Sequence, residues 1–138
     1  MAVTGFNHFP RIAAAMHEAL SDIVAETTVD LGAAMVSHIH ANGQIDTGFM
    51  VSSVYTVTKN GSTYGQAGTP PGDAYLLPEV GISGDMEGVA ACAANYGEWQ
   101  NYGTRFLPPR PFMEPAAELI QGEFEAKLAG LEGRMHVV

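Results

Sequence analysis

The sequence predicts an α+β fold, and three observations support this class. A helical period of apolar residues runs from about Phe9 to Ala41, a Val/Thr/Tyr-rich segment leads into Asn60-Gly61, and a second helical period follows a Pro-rich segment. We therefore expect a long N-terminal helix, a small antiparallel β-sheet with an extended loop, and a C-terminal helix. The 138 residues fit a single domain, with the long helix in 1–43, the sheet in 44–104, and the Pro-rich segment and C-terminal helix in 105–138.

The first helix is predicted by its apolar spacing and by its stop signal. Apolar residues recur every three or four positions, which places them on one side of a helix: Ile12, Met16, Leu20, Ile23, Val24, Leu31, Met35 and Ile39. Asn42-Gly43 ends the pattern, because glycine readily adopts the left-handed conformation that closes a helix. Such a helix would be about 50 Å long, which is more than one small core needs.

The middle of the chain is predicted to form a hairpin followed by a long loop. Val51 to Thr58 favours a strand, Asn60-Gly61 is the preferred two-residue hairpin turn, and Ser62 to Gln66 would form the second strand. Proline and glycine then predict an extended loop at about 67–87, which we interpret as a partner-binding arm because loops of this length usually have a function. Val89 to Ala94 is small and apolar and is predicted to be a strand buried on both faces.

Aromatic residues and prolines precede the last helix. Tyr96, Trp99 and Tyr102 recur every third residue, which favours a short helix that contributes either to the core or to a subunit contact. Pro108 to Phe112 forces an extended approach to the C-terminal helix, which is predicted at about Phe112 to Glu132. The apolar side of that helix is expected to comprise Ala116, Leu119, Ile120, Phe124, Leu128 and Leu131.

The net charge is strongly negative, with 15 acidic residues against 6 basic ones and a formal value of -9. This argues against nucleic-acid binding by phosphate neutralisation, which requires clustered lysine and arginine. Cys92 is the only cysteine, so neither an internal disulfide nor a cysteine metal cluster can form. No apolar run approaches the roughly 18 residues of a membrane span, and no cationic leader precedes one. We therefore expect synthesis in the cytoplasm and no membrane partner.

Four acidic residues of the first helix follow one another at intervals of four, and we call them the acidic stripe: Glu18, Asp22, Glu26 and Asp30. Residues four apart are neighbours on a helix, and no lysine or arginine between Glu18 and Asp46 compensates their charges. The acidic stripe is either a solvated face or a surface turned toward something it must repel, such as DNA in a channel.

The best candidate for an enzymatic motif is Asp46-Thr47-Gly48, the signature of aspartic proteases, in which two such aspartates share a proton across a dimer. A protease of that kind would be nearly all β and would have an apolar strand before the motif. Here a long helix precedes Asp46. The alternative is that Asp46 and Thr47 cap a turn and that Gly48 supplies its unusual dihedral.

The remaining reactive residue types form no catalytic or metal-binding pattern. His38 and His40 lie two apart and point to different faces of the helix, so they cannot share a metal. His8, His17 and His136 have no acidic partner at ligand spacing, and Cys92 lies among small apolar residues typical of a buried position. We therefore expect no catalytic residue, no metal and no cofactor.

Three blocks of the sequence, in this order, resemble a family of long-tailed phage tail-component proteins. They are Asp46 to Val54, Asn95 to Thr104 and Pro108 to Ala116. In that family an Asp-Thr-Gly block leads into a Ser-containing strand, an aromatic block ending in Gly-Thr follows, and a Pro-x-Arg-Pro-Phe block opens the last helix. The sequence departs from the pattern at Phe49 to Val51, where the family usually has a basic residue, and in its longer middle loop.

The resemblance implies a structural virion protein of a tailed double-stranded-DNA phage. Such a protein, called a neck or tail-completion protein, forms a ring at the head–tail junction, and we expect six-fold symmetry. Its neighbours would be head-completion or connector proteins and tail-terminator or tail-tube proteins, and DNA would pass through without sequence-specific binding. The resemblance implies no enzyme activity and no cofactor, and it implies a location in the virion after assembly in the host cytoplasm. The alternatives are an aspartic-protease-like enzyme using Asp46 and a generic acidic protein-interaction module.

Within such a ring, two sets of residues are candidates for function. We expect Tyr96, Trp99, Arg110 and Phe112 to lie near subunit contacts, with Arg110 pairing with an acidic residue of the adjacent chain. The acidic stripe would line or approach the channel, where repulsion would keep DNA phosphates from adhering.

Overall fold

The longest element among the described residues is helix α1, Phe9–Ala41, where the apolar spacing predicts a helix from about Phe9 to Ala41. The computed structural model describes residues 9–44 and 48–135. Gly43 follows the helix with a φ of 68°, the left-handed conformation expected of a helix stop. The α+β class is confirmed, because α1 packs on a three-stranded antiparallel sheet and on a C-terminal helix.

The other described elements follow in chain order, and their bounds are α2 Phe49–Ser52, β1 Val54–Thr58, β2 Gly61–Ser62, β3 Val89–Cys92, α3 Gly97–Tyr102, α4 Met113–Ala129 and α5 Leu131–Arg134. The sheet order is β2-β1-β3, so β1 is central. None of the helices in the described ranges is long and apolar enough to cross a membrane.

The first strand begins later than the sequence predicts. Val51 and Ser52 belong to the single helical turn α2, and the strand starts at Val54. The hydroxyl groups of Ser52 and Ser53 donate to the carbonyl oxygens of Phe49 and Met50 at 3.0 and 2.7 Å. Such local side-chain bonds compete with strand pairing, which explains the shift.

The hairpin turn lies one residue earlier than expected. Thr58 pairs with Gly61, so the two connecting residues are Lys59 and Asn60, and Gly61 is the first residue of β2. Lys59 forms an ion pair with Asp22 of α1, and the hydroxyl of Thr58 accepts the Asn60 N–H at 3.1 Å. These contacts favour the observed turn over one centred on Asn60-Gly61.

The third strand is an edge strand, and its residues are half-buried rather than buried on both faces as predicted. It pairs with β1 from Val54 opposite Cys92 to Val57 opposite Val89. The long loop runs beside its end, where the Leu77 N–H donates to the Ala93 carbonyl at 2.6 Å. The loop therefore covers part of the edge that pairing leaves open.

The long loop is attached to the outer face of the sheet at two tyrosines. The hydroxyl of Tyr64 donates to the Leu77 carbonyl at 2.6 Å, and the hydroxyl of Tyr55 accepts the Val80 N–H at 2.9 Å. The two rings pack edge to face at 5.0 Å. A loop held in this way differs from a free arm, although most of its side chains are exposed.

The main core lies between the C-terminal half of α1, helix α2 and helix α4, and it comprises Ala34, Met35, Ile39, Phe49, Met50, Ala94, Phe112, Ala116 and Ile120. A smaller cluster of Tyr55, Val57 and Ala93 lies under the loop. Gly32 allows the close approach of α1 to the sheet, because a Cβ there would lie 2.5 Å from Cγ2 of Thr56. Along α4 the apolar side is narrower than predicted, since Leu119 is 64% exposed.

Candidate functional site

The second and third sequence blocks meet at the buried side chain of Asn101 in α3. Its Oδ1 accepts the backbone N–H groups of Phe112 at 2.9 Å and Met113 at 3.0 Å, and its Nδ2 donates to Glu114 at 2.8 Å. The first N–H groups of a helix have no partner within that helix. Asn101 therefore caps α4 from another element and fixes α3 against its start.

Glu114 is part of the same hydrogen-bonded unit. The bond from Asn101, together with one from the Tyr102 hydroxyl, holds the pKa of Glu114 below its ordinary value. The same hydrogen bond to the Glu114 carboxylate raises the pKa of Tyr102. The carboxylate also lies in the first turn of α4, where the helix dipole favours negative charge.

The end of α1 holds the Pro-rich segment from the other side. Nδ2 of Asn42 donates to the carbonyl of Pro111 at 2.9 Å, and the Arg110 N–H donates to the Gln100 carbonyl at 3.0 Å. Nε2 of Gln44 contacts the same Gln100 carbonyl at 3.3 Å. The backbone of this proline segment is thus fixed by contacts with both α1 and α3.

This framework leaves large side chains exposed, and we call Trp99, Tyr102, Phe106 and Arg110 the aromatic surface. Trp99 is 55% exposed, Tyr102 60% and Phe106 88%, and Arg110 is also exposed. A shallow depression of about 510 Å³ beside Tyr102 is lined mainly by prolines and acidic side chains. Exposed tryptophan, tyrosine and arginine are the residue types enriched at protein–protein contacts.

Two of the four residues expected at subunit contacts lie elsewhere than on this surface. Phe112 has no exposed area and belongs to the main core, so its expected role in a subunit contact is corrected: its side chain is already buried within the chain. Tyr96 is half-buried and packs against Phe49, with 6.2 Å between the ring centroids. Trp99 and Arg110 are the two that remain accessible.

Cations from distant elements approach the acidic stripe. Lys59 of the hairpin pairs with Asp22, and Arg134 of α5 pairs with Glu26 at 2.9 Å. Lys127 of α4 contacts Asp30 at 3.1 Å and Glu26 at 3.5 Å. Three of the four stripe carboxylates therefore have partners within the chain, and Glu18 is the one that no described lysine or arginine approaches within ion-pair distance.

Lys127 is at the centre of these ion pairs. A hydrogen bond with Glu123, followed by the bond and charge of Lys127, holds the pKa of Asp30 below its ordinary value. Burial acts to lower the pKa of Lys127, but its hydrogen bonds to Glu123 and Asp30 outweigh that effect and raise it. The carboxylates of Glu26 and Asp30 remain close to half exposed. These ion pairs therefore join α1 to α4 and α5 at a surface that still faces solvent.

The candidate reactive groups are placed as follows. Asp46 and Thr47 lie outside the described residues, and Gly48 has a φ of 80°. Burial raises the pKa of the Cys92 thiol, which lies 3.4 Å from the Ser53 hydroxyl. Within residues 9–44 and 48–135, no three histidine, cysteine or carboxylate side chains cluster in a way that could hold a metal ion.

A groove that sequence reasoning did not identify lies between α1, α4 and the long loop. It has a volume of about 380 Å³ and an almost wholly apolar lining that includes Val24, Leu31, Met86, Ile120 and Phe124. Thr27 also lines the groove, and its enclosed hydroxyl has no hydrogen-bond partner among the described residues. A buried hydroxyl in that condition costs about 1–3 kcal/mol. The groove exists only where α1 packs against α4. The spacing of residues along either helix alone therefore does not predict it.

Comparison of the chain with protein-family models, with curated proteins and with solved structures finds no match. The resemblance to phage tail-component proteins therefore stays a prediction, based on the three sequence blocks. What the geometry adds is the junction at Asn101, which brings the second and third of these blocks together.

Proposed function

We propose that this chain is a structural virion protein of a tailed double-stranded-DNA phage. In this proposal it forms a ring, expected to contain six copies, at the head–tail junction around the DNA path. The ring would contact head-completion or connector proteins on one side and tail-terminator or tail-tube proteins on the other. The chain would have no catalytic role and no cofactor.

The main support for the proposal is that the second and third sequence blocks together form one surface. Asn101 and Gln100 bind the backbone of residues 110–113, and the result is a rigid framework with Trp99 and Arg110 exposed. Residues that are ordered yet exposed suit a preformed contact surface, because little further entropy is lost on association. Arg110 is suited to an acidic residue on the adjacent chain.

The position of the DNA path relative to the acidic stripe is a further part of the proposal. Since Asp22, Glu26 and Asp30 have cationic partners in the chain, a channel lined by the stripe would repel phosphates less strongly than four unpaired carboxylates would. The net charge of -9 per chain, multiplied around a ring, would still disfavour adhesion of DNA. Resolving which face of the ring lines its channel tests this part separately.

The direct test of the ring is to purify the full chain and to measure its mass by native mass spectrometry, with negative-stain electron microscopy of the same sample. The proposal predicts one closed oligomer with a central hole. A chain that stays monomeric and is recovered in a host complex rather than in virions would favour the acidic interaction module instead. Proteolysis that is abolished by Asp46→Asn would favour the protease.

A further inference from the structure

The groove between α1 and α4, introduced above, has the properties of a binding site for an apolar side chain. Its volume of about 380 Å³ lies near the lower end of the roughly 300–1,000 Å³ range of ligand sites. Its lining is mostly apolar, and the polar residues in it are Thr27, Thr28 and Gln121. A large apolar side chain that fills the groove would remove this apolar surface from water.

The most exposed large apolar side chain in the described residues is Phe106, and it projects from a fixed turn. Thr104 and Leu107 exchange backbone hydrogen bonds of 2.8 and 3.3 Å across the turn. The hydroxyl of Thr104 also accepts the Phe106 N–H at 3.2 Å. The Arg105 guanidinium lies 5.3 Å from the centre of the Phe106 ring, so a hydrogen-bond donor accompanies the ring.

The ring of Phe106 and the groove belong to different parts of the surface. The proline segment after Phe106 is bound to Asn42 at the end of α1. Leu31, the nearest groove residue on that helix, lies 11 positions earlier, or about 17 Å along the axis. A head-to-tail contact requires two unlike patches at separate positions, which is the arrangement found here.

The charges around the two patches are complementary. Within the described ranges, Arg105 and Arg110 have no carboxylate within ion-pair distance, whereas Lys59, Lys127 and Arg134 each have one. Acidic residues adjoin two residues of the groove lining, because Asp85 and Glu87 flank Met86 in the sequence and Glu125 accepts a hydrogen bond from Gln121. No lysine or arginine lines the groove. An arginine-bearing projection therefore suits these acidic residues.

We propose that the groove receives Phe106 of a second copy of this chain, and that Arg105 of that copy lies among the acidic side chains beside the groove. The contact is heterologous and, repeated around an axis, closes the ring. This inference rests on the proposed function, since it names the partner of the aromatic surface. Because the patches are unlike, each chain contributes Phe106 to one neighbour and the groove to the other.

Cysteine cross-linking of the full chain tests the contact. A variant with both Phe106→Cys and Gln121→Cys, treated with a short bismaleimide, is expected to form a ladder of covalent oligomers up to the size of the ring. An equimolar mixture of the two single variants is expected to give covalent dimers and no longer products. The matched control replaces Gln121→Cys with Leu119→Cys, which is exposed on α4 but does not line the groove, and is expected to give no ladder. Cys92 is present in every variant, so any cross-link formed through it would also appear in the control.

A measurement of oligomer dissociation without cross-linking does not depend on the cysteine variants. Phe106→Ala is expected to raise the concentration at which the oligomer half-dissociates by about 30-fold, the effect typical of an aromatic anchor at an interface. Leu119→Ala, which removes a similarly exposed apolar side chain outside the groove, is expected to change it by less than about threefold.

Four outcomes would overturn the inference. Rings that form normally but give no Gln121-specific cross-link would leave the proposed function standing and remove Phe106 from the groove. Covalent dimers alone from the double variant would indicate a two-fold contact instead. A small molecule found bound to the purified chain, and displaced by Phe124→Trp, would identify a different occupant. A chain that stays monomeric would remove both this inference and the proposed ring.

Discussion

Asn101 and Phe112 are joined by a hydrogen bond of 2.9 Å from the Phe112 N–H to the Asn101 side-chain oxygen. Phe112 precedes α4 and is one of the largest fully buried side chains, so this bond sets both the start of the helix and the position of a core residue. It also joins the second sequence block to the third, which begins with the Pro-rich segment. The aromatic surface depends on this junction and on the contacts that Asn42 and Gln44 make with the same framework.

Asn101→Ala is expected to destabilise the chain by about 2–3 kcal/mol, because it removes a helix cap and leaves buried N–H groups of Phe112 and Met113 without partners. The free energy of unfolding from urea denaturation measures this. Asn95→Ala is the matched control, since it removes a single exposed hydrogen bond of 3.0 Å to the Tyr75 N–H. Its expected cost is about 0.5–1 kcal/mol. Equal effects of the two variants would argue against a central role for Asn101.

Glu114 is expected to make stability depend on pH. Its pKa in the folded chain lies below the ordinary value of 4.5, so its contribution is fully present above pH 4.5 and is lost as the pH falls through the lower folded value. The free energy of unfolding should therefore decline below pH 4.5. In Glu114→Gln, which keeps an acceptor for Asn101 and does not titrate, the decline should be less steep. An unchanged slope in that variant would show that Glu114 contributes nothing to it.

Two helical glycines are expected to respond oppositely to alanine. Gly32→Ala would place a Cβ 2.5 Å from Thr56 Cγ2, and the resulting overpacking should cost about 1–2 kcal/mol despite the better helix propensity of alanine. Gly122→Ala in α4 meets no atom within 4 Å and should stabilise by up to about 1 kcal/mol. Thermal unfolding of both variants checks the pair. Stabilisation by Gly32→Ala would contradict the close packing of α1 on β1.

Arg110→Ala is expected to weaken the oligomer while leaving the chain folded, because its side chain is exposed and only its backbone holds the framework. Loss of a charged pair at a contact should raise the dissociation concentration about tenfold or more. Arg110→Lys keeps the charge and should recover part of the loss. Native mass measurements of assembly, with the melting temperature as a folding control, provide the readout. Unchanged assembly of Arg110→Ala would remove this residue from the contact.

The sequence was most informative where structure is local. The helix described at Phe9–Ala41 was predicted over about this range, because apolar spacing and the Asn42-Gly43 stop act over a few positions. Features that depend on distant residues were missed. The capping of α4 by Asn101, the cations that approach the acidic stripe and the groove beside Thr27 each need two elements packed together.

The errors in the prediction have the same origin. Phe112 and Leu119 are both large and apolar, and spacing alone does not tell that one is buried and the other 64% exposed. The start of β1 was placed too early because the serine hydroxyl bonds that hold α2 leave no trace in hydropathy. The resemblance of three blocks to a phage family supplies the functional hypothesis, and the fold alone does not.

The most direct test of the central hypothesis is electron microscopy of particles produced by a phage that carries this chain, after the gene for the chain has been deleted. A ring protein of the head–tail junction predicts DNA-filled heads and separate, complete tails, with joining restored when the purified chain is added. Normally joined, infectious particles that lack the chain would contradict the account.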